Sequence, residues 1–276
     1  MLIEIIKALL MGIVEGVTEW LPISSTGHMI LVEQLIQFDA SDAFISMFRV
    51  VIQLGAIMAV VVLFWKKLWP FGLRHGRVIS KAPVWSLWFK VVVATLPVLL
   101  ISPLDEWMEA KFYNHITVAA MLILYGILFI VVENRGAAAR VTRLEQIGYR
   151  EALIIGLWQT LAIIPGTSRS GATIVGGLLL GLSRAAVAEF TFYLAIPVMA
   201  GASLLKVVKF VLDGQAMTGT ETAILVTGCL SAFVVSMLAI RFLMGYVKSH
   251  DFKFFGVYRI ALGAVVLTVA AVTAFG

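Results

Sequence analysis

The fold is decided by the stretch Pro165-Gly166-Thr167-Ser168-Arg169-Ser170-Gly171-Ala172-Thr173, which separates two apolar runs, 152–164 and 174–182. Each run allows roughly 15–20 Å of helix, whereas the hydrocarbon core of a bilayer is about 30 Å thick. Two half-length helices with a polar break predict a re-entrant hairpin, whose tip lies at membrane depth. Irregular backbone is tolerated there only where protein buries it or where it lines a wet cavity.

The same break suits an anion. Pro165-Gly166 stops one helix, and Thr167 or Ser168 can cap the next, whose free N–H groups and dipole favour negative charge. Arg169 adds a guanidinium fork that fits a phosphate group. The residues expected to bind that phosphate beside Arg169 are Gly166, Thr167, Ser168, Ser170 and Thr173. The alternative is a Ser/Thr-rich helix cap beside an Arg that only snorkels.

Composition sets the class of protein. Of the 276 residues, 61% are hydrophobic and 13% are charged, and the mean hydropathy is +1.01. These values exclude a soluble globular domain and predict an all-α polytopic membrane protein that forms one integral membrane domain over 1–276. The single Cys229 offers no disulfide framework and no Cys-based metal site.

The remaining apolar segments predict the crossings. A first hairpin is expected from helices at 5–21 and 24–37, separated by Pro22, and a second from 148–183. Six full spans are expected at 47–65, 85–104, 115–133, 186–208, 220–243 and 256–275. The predicted fold is therefore six transmembrane helices plus two re-entrant helix-loop-helix hairpins.

This plan repeats: a hairpin followed by three spans occurs twice, over about 1–133 and 145–276. At an offset of 144 residues, the matched pairs are Gly12 and Gly156, Glu15 and Gln159, Ser24 and Ser168, Thr26 and Ser170, and Gly27 and Gly171. Three crossings per copy is an odd number, so the second copy is expected to be inverted. Paired broken helices in inverted halves predict a site at the midplane. Coincidence between two helix-break-helix segments is the alternative.

Basic residues give the orientation. One set of loops carries Lys66, Lys67, Arg74, Arg77, Lys81, Arg135, Arg140, Arg143, Lys248 and Lys253. The opposite set carries Lys7 and Lys111 with Asp39, Asp42, Asp105, Glu106, Glu109 and Asp213. Because cytoplasmic loops are enriched in Lys and Arg, the first set is predicted to be cytoplasmic, with both termini outside.

Glu15 and Glu19 are spaced i, i+4 and share one helix face. Two carboxylates inside a membrane protein must pair, bind a cation or take up a proton. They could hold a hard divalent cation near substrate phosphates, or one of them could act as an acid or base. The alternative is a solvated pair at the outer interface.

The segment Ser24-Ser25-Thr26-Gly27-His28 follows directly. Ser25 and His28 are three residues apart, on neighbouring positions of one helix face, which allows a nucleophilic hydroxyl with a nearby base. Such a pair is weak evidence alone, but opposite a second helix start with Arg169 it predicts a phosphate site. Ser24 and Thr26 are expected to bind the phosphate as well.

Arg49 and Gln53, also i, i+4, could line the same cavity. Arg49 could equally snorkel at the outer interface.

The motifs resemble those of BacA-type undecaprenyl-diphosphate phosphatases. Glu15–His28 matches the family's ExxxE segment and SSTGH box, Pro165–Thr173 matches its second signature, and Gln53-Leu54-Gly55 fits as well. The resemblance implies removal of the terminal phosphate from undecaprenyl diphosphate and related polyprenyl diphosphates at the outer face of the bacterial cytoplasmic membrane. That reaction recycles the cell-wall carrier lipid and confers bacitracin resistance. The resemblance also implies a divalent cation, Mg²⁺ or Ca²⁺. Its functional positions fall on Glu15, Glu19, Ser25, His28, Ser168, Arg169 and Thr173.

The expected roles follow. Glu15 and Glu19 hold the cation, Glu19 doubles as a base, Ser25 is the nucleophile, and His28 activates it or protonates the leaving oxygen. Exchanged roles or direct attack by water stay open. The competing hypothesis is an inverted-repeat transporter or flippase for polyprenyl phosphate. A transporter needs no Ser/His pair beside an Arg. Membrane lipid is an expected partner, nucleic acid is not, and a homodimer is left open.

Overall fold

The computed structural model describes residues 1–74 and 77–275, and most of these are helical. The helices of the first half are α1 (Leu2–Thr18), α2 (Ser25–Leu35), α3 (Asp42–Val51), α4 (Gln53–Leu63), α5 (Trp65–Leu68), α6 (Ala82–Ile101), α7 (Asp105–Phe112) and α8 (His115–Asn134). Those of the second half are α9 (Tyr149–Thr160), α10 (Arg169–Leu179), α11 (Arg184–Leu212), α12 (Gly219–Tyr246) and α13 (Lys253–Phe275). Short 3₁₀ turns lie at Ser102–Leu104, Leu144–Gln146 and Leu161–Ile163.

Within the described residues, six helical stretches are long and apolar enough to cross a membrane, as the sequence predicts. They are Asp42–Leu63, Ala82–Phe112, His115–Asn134, Arg184–Leu212, Gly219–Tyr246 and Lys253–Thr273. The large side chains on their outer faces are mostly Leu, Val, Ile and Phe, and many are exposed. An apolar exterior of this extent belongs in lipid. The chain is a multi-pass membrane protein.

One loop departs from the all-helical expectation. Between α5 and α6 the chain forms two antiparallel strands, β1 (Phe71–Arg74) and β2 (Arg77–Ser80), with Phe71 opposite Ser80. Aromatic rings support this hairpin: Trp69 meets Phe71 at 5.8 Å between ring centroids, and Phe71 meets Trp85 at 6.1 Å. Four-residue strands in a basic loop leave no periodic signal that distinguishes them from irregular structure.

The two broken-helix segments share one local design. Ser24 and Ser168, matched at the offset of 144 residues, have left-handed φ angles of 73° and 70°. Each is an N-cap, since Ser24 accepts from the backbone N–H of Gly27 and Ser168 accepts from that of Gly171. A non-glycine residue rarely adopts such a φ angle, and strained backbone of this kind concentrates at functional sites. Of the two expected caps for α10, the structure uses Ser168.

Packing between the two halves follows a matched pattern. Helix α1 lies along α12, α9 lies along α6, and α8 lies along α13. The last pair meets at Gly126 and Gly256, where an added Cβ on either glycine would lie 2.7 Å from the other's carbonyl oxygen. The two backbones therefore touch, and only glycine permits that approach.

Polar contacts sort the loops into two ends of the molecule. At one end, Lys209 pairs with Glu106 at 2.5 Å and Ser41 donates to Glu221 at 3.0 Å. At the other end, Arg184 pairs with Glu133 at 2.6 Å. The first end carries the acidic loops and the second the basic loops, which is the division that the charge pattern predicts.

Candidate active site

The two hairpins meet at the carboxylate of Glu19. Arg169 donates from Nη2 to Glu19 Oε1 at 2.7 Å, and Ser25 Oγ donates to Glu19 Oε2 at 3.0 Å. Ser170 Oγ donates to the backbone carbonyl of Glu19 at 3.2 Å. Ser25 and Arg169 are the first residues of α2 and α10. A helix N-terminus favours negative charge, so two such ends converge on a place suited to an anion.

The hydroxyl groups of the second hairpin shape its turn. Ser168 Oγ lies 3.1 Å from Ser170 Oγ. Thr173 Oγ1 donates to the carbonyl of Arg169 at 3.0 Å and accepts from Thr191 Oγ1 at 2.9 Å. In this arrangement Thr173 holds the first turn of α10 in place, while Ser168 and Ser170 lie beside Glu19.

Two adjacent cavities reach this centre. The smaller, of about 230 Å³, is lined by residues that include Glu19, Gln159, Gly166, Ser168 and Arg169. The larger, of about 860 Å³, is lined by Glu15, Glu33 and Arg49 among others. The residues common to both linings include Ser25, Thr26, Gln53, Asp105, Ala162 and Ile163. Of the sequence-predicted residues, Glu15 lines the larger cavity, Glu19 and Arg169 line the smaller one, and Ser25 and Thr26 lie on the wall that the two share.

Arg49 and Gln53 both line the larger cavity. Arg49 pairs with Glu33 at 2.7 Å, and its guanidinium lies 5.8 Å from the ring centroid of Tyr113. Tyr113 donates to Glu33 at 3.1 Å. Burial and the neighbouring carboxylate raise the pKa of Tyr113 well above its usual value, so the phenol stays protonated and keeps donating. This cluster fixes one wall of the cavity.

Several buried polar atoms around the cavities lack a hydrogen-bond partner among the described residues. They include Glu15 Oε1, Trp20 Nε1, Thr167 Oγ1, Arg169 Nη1 and both amide atoms of Gln159; Glu33 Oε1 and Arg49 Nε form an ion pair but no well-aligned hydrogen bond. Buried polar groups in proteins are nearly always paired, and leaving one unpaired costs about 1–3 kcal/mol. Their concentration beside one cavity indicates that a polar ligand or water completes the site.

His28 bonds to a residue of α13 rather than to Ser25. Its Nδ1 donates to the carbonyl of Ser24 at 2.7 Å, which leaves Nε2 to accept from the hydroxyl of Tyr258 on α13 at 2.7 Å. The two rings stack at 5.7 Å. Ser25 instead donates to Glu19. Ser25 and His28 do not bond each other in this structure, because the first turn of α2 points Ser25 into the cavity and His28 towards α13. The role of His28 in the reaction stays a prediction.

Arg259 is a site residue that the sequence analysis did not single out. Its side chain is fully buried and donates to the carbonyls of Pro22 at 3.3 Å and of Gly166 and Thr167 at 2.9 Å each. The guanidinium lies 5.5 Å from the ring centroid of Tyr125. One side chain of α13 thus ties together the turns of both hairpins. The available signal was a lone Arg inside an apolar span, which is a functional candidate by default.

A divalent cation fits this site only together with a ligand. Residues 1–74 and 77–275 contain no group of three or more His, Cys, Asp or Glu side chains placed to hold a metal. Glu15 has an unpaired oxygen, but both oxygens of Glu19 are engaged by Arg169 and Ser25. Mg²⁺ commonly binds through one or two carboxylates plus substrate phosphates. The donor set matches that mode and needs the phosphate oxygens to be complete.

Comparison with known proteins identifies related chains. A family model described as "Bacitracin resistance protein BacA" matches residues 8–265. A protein named undecaprenyl-diphosphatase from Acetivibrio thermocellus is 59% identical, over 96% of this chain and 97% of its own. Proteins of the same name from Streptococcus mutans and Enterococcus faecalis are 55% and 54% identical, over 96% and 98% of this chain and 95% and 98% of theirs.

Proposed function

The chain belongs to the bacitracin resistance protein BacA family, and from this premise we propose that it is an undecaprenyl-diphosphatase. It hydrolyses undecaprenyl diphosphate to undecaprenyl phosphate and inorganic phosphate. The observation that carries the proposal is the contact of Ser25 and Arg169 with one carboxylate, that of Glu19. A nucleophile, a proton acceptor and a phosphate-binding cation thereby share one cavity. The transporter alternative is not favoured, because the relatives carry the name of an enzyme.

We propose that Ser25 attacks the terminal phosphorus of the substrate. Its proton passes to Glu19 Oε2, to which Ser25 Oγ already donates at 3.0 Å. The bond between that phosphorus and the bridging oxygen breaks, and undecaprenyl phosphate leaves with the electron pair. Glu19 then releases that proton to solvent. Water attacks the phosphorus of the phosphoserine and gives one proton to Glu19, the bond between phosphorus and Ser25 Oγ breaks, and Oγ takes the proton from Glu19 as inorganic phosphate leaves.

Arg169 is the cation that meets the phosphoryl group. Its Nη1 is unpaired among the described residues, so it can make the first contact with a phosphate oxygen before Nη2 leaves Glu19. As negative charge develops on the phosphoryl oxygens, the guanidinium and the N-termini of α2 and α10 stabilise it. Movement of Arg169 onto the phosphate would also release Glu19 to take the proton of Ser25.

A divalent cation, Mg²⁺ or Ca²⁺, is part of the proposal. Glu15 and Glu19 would hold it with oxygens of the diphosphate. When bound, the cation supplies positive charge that offsets the charge of the diphosphate. The unpaired oxygen of Glu15 supports this assignment.

The proposed role of His28 is positioning. Through its hydrogen bond to the Ser24 carbonyl, its ring supports the strained N-cap of α2 from the side of α13. Acting as a general acid on the leaving oxygen would require the ring to leave Tyr258. Ser24, Thr26, Ser168, Ser170 and Thr173 complete the proposed phosphate-binding surface.

We further propose that both hairpins are re-entrant, that the two halves form an inverted repeat, and that the site opens to the outside of the cytoplasmic membrane. Three observations support this arrangement: the matched caps at Ser24 and Ser168, the matched packing of α1 on α12 and α9 on α6, and a cavity mouth that includes Asp105 and Glu106 of the acidic end. The apolar side chains of the larger cavity, such as Leu205 and Val208, would receive the first isoprene units.

Phosphate release tests the function. Detergent-purified protein given undecaprenyl diphosphate and Mg²⁺ should release inorganic phosphate, and Ser25→Ala should reduce the rate to that of a boiled sample. The control is Ser249→Ala, because Ser249 is exposed and bonds only its neighbour His250. Wild-type protein that releases no phosphate would contradict the proposed function. Substantial turnover by Ser25→Ala would instead assign the attack to water.

A further inference from the structure

We infer that Gln159 is a further substrate-binding residue, whose side-chain amide N–H donates to an oxygen of the diphosphate. The inference rests on the proposed function and adds a binding group on α9, on the opposite hairpin from Ser25. Its basis is the environment of the amide rather than the resemblance to the family, since the motifs that carry the resemblance do not include Gln159.

Gln159 is a buried polar side chain whose amide has no hydrogen-bond partner among the described residues. It is 2% exposed and lies in the last turn of α9. Among the described residues neither Nε2 nor Oε1 has a hydrogen-bond partner. The residue lines the smaller cavity together with Glu19 and Arg169. Its unpaired atoms therefore lie beside the proposed phosphate site.

The neighbouring unpaired groups define the class of ligand. Arg169 presents a second unpaired donor, Nη1, on the same cavity. A charged guanidinium and an amide N–H, next to the N-terminus of α10, form a donor-rich wall. Such a wall suits an anion with several acceptor oxygens. A single water could satisfy the amide, but the guanidinium beside it favours a negatively charged group.

The internal repeat explains why an amide occupies this position. Gln159 matches Glu15 at the offset of 144 residues, and Glu15 also has an unpaired oxygen. In the proposed reaction Glu15 faces the cation, whereas Gln159 faces the anion. A carboxylate at 159 would repel the diphosphate, and a neutral amide of the same length donates to it.

Three variants test the assignment: Gln159→Leu, Gln159→Glu and the control Gln215→Leu, whose residue is exposed in the loop between α11 and α12. The measurements are kcat/KM for undecaprenyl diphosphate, and the unfolding temperature with and without methylene diphosphonate, a diphosphate that cannot be cleaved at its bridge. A hydrogen bond to a charged group corresponds to about a 10–100-fold effect. We therefore expect kcat/KM to fall by about 10–100-fold in Gln159→Leu and by more in Gln159→Glu. Gln215→Leu should behave like the wild type.

The unfolding temperature separates a ligand contact from a structural one. Without ligand, Gln159→Leu should unfold at the wild-type temperature or above it, because an unpaired buried amide is replaced by an apolar group of similar size. Its stabilisation by methylene diphosphonate should shrink, and that of Gln159→Glu should shrink further.

Three results would overturn the inference. One is a Gln159→Leu variant whose kcat/KM is unchanged and whose unfolding temperature rises with methylene diphosphonate as much as that of the wild type. Another is a lower unfolding temperature without ligand at unchanged kcat/KM, which would assign Gln159 to a structural water. The third is wild-type activity in Gln159→Glu, because a carboxylate has no N–H to donate, so that the contact would have to be made by Oε1 as an acceptor. Each requires an active wild-type protein, so they are distinct from failure of the proposed function.

Discussion

Glu19 serves two partners that compete for the same carboxylate. It neutralises Arg169 through Oε1 and orients Ser25 through Oε2, and the side chains of the ion pair are 8% and 11% exposed. A nearly buried ion pair is stable only while both partners remain, since removal of one leaves an uncompensated charge. In the proposed mechanism, the substrate phosphate replaces Glu19 as the partner of Arg169. The pair is thus a resting arrangement that phosphate binding is suited to open.

Arg169→Ala should therefore have two separable effects. The rate should fall by about 10²–10³-fold or more because the phosphoryl charge loses its cation. The unfolding temperature should also fall, because Glu19 is left unpaired. Adding Glu19→Gln should restore the unfolding temperature but not the rate.

Arg150→Ala, on the exposed side of α9, is the control for loss of an Arg. Phosphate release and thermal unfolding of the purified variants give both readouts. A rate close to that of the wild type in Arg169→Ala would remove Arg169 from the phosphate site.

Single residues also show where sequence reasoning ends. The motifs singled out Glu15 and Glu19 at the end of one helix, and Ser25 and Arg169 at the starts of two others, because residues at fixed spacings beside a helix break carry a local signal. Arg259 bonds to turns more than 90 residues away in sequence, and no local pattern encodes that contact. The orientation of His28 was unpredictable for the same reason, since it depends on α13. Both contacts come from tertiary packing.

At the scale of helices, the breaks were easier to predict than the bounds. Pro22 and Pro165-Gly166 mark the turns of both hairpins, and the structure has each turn within a few residues of them. The segment 105–112 forms a separate helix, α7, that apolar periodicity did not reveal because its residues are mixed and polar. Strong apolar patterns predict elements, whereas short polar ones depend on their surroundings.

The turn of the second hairpin gives a prediction at this scale. Gly166 has a φ of +93°, and an added Cβ would lie 2.6 Å from the carbonyl oxygen of Val118 on α8. Gly136 has a φ of +58° with nothing within 4 Å of an added Cβ. Gly136→Ala should lower the free energy of unfolding only by the cost of holding an alanine in this left-handed backbone conformation, about 1–3 kcal/mol at most.

Gly166→Ala has the same backbone cost and also a steric clash with Val118. Its unfolding temperature should therefore fall further than that of Gly136→Ala. Its kcat should fall as well, because Gly166 precedes the cap of α10 by two residues and its carbonyl accepts from Arg259. Thermal unfolding and phosphate release compare the two variants. Equal unfolding temperatures would show that α8 can move away from the turn.

For the whole molecule, the charge pattern predicted which loops lie at the same end, which the apolar periodicity of single segments does not show. The acidic and basic loops that the sequence separates are found at opposite ends of the molecule, where Lys209 meets Glu106 and Arg184 meets Glu133. By the positive-inside rule, we predict that the basic end faces the cytoplasm.

Cysteine labelling in spheroplasts tests this orientation. Gln215 lies in a loop at the acidic end and Ala138 in a loop at the basic end, and both are exposed. Cys229, the single native cysteine, is replaced by Ser so that only the introduced thiol reacts. A membrane-impermeant reagent should modify Gln215→Cys in intact spheroplasts and Ala138→Cys only after permeabilisation.

Labelling of both variants after permeabilisation is the control for accessibility. The reverse pattern in intact cells would place the cavities around Ser25 and Glu19 on the cytoplasmic side, because exposed residues of the acidic end, such as Asp105 and Glu106, line the larger of them. The substrate would then have to reach the enzyme from the inner leaflet. The hydrolysis chemistry would be unchanged, since the contacts among Glu19, Ser25 and Arg169 do not depend on orientation. Labelling therefore tests the side of the membrane on which the lipid diphosphate is cleaved, separately from how it is cleaved.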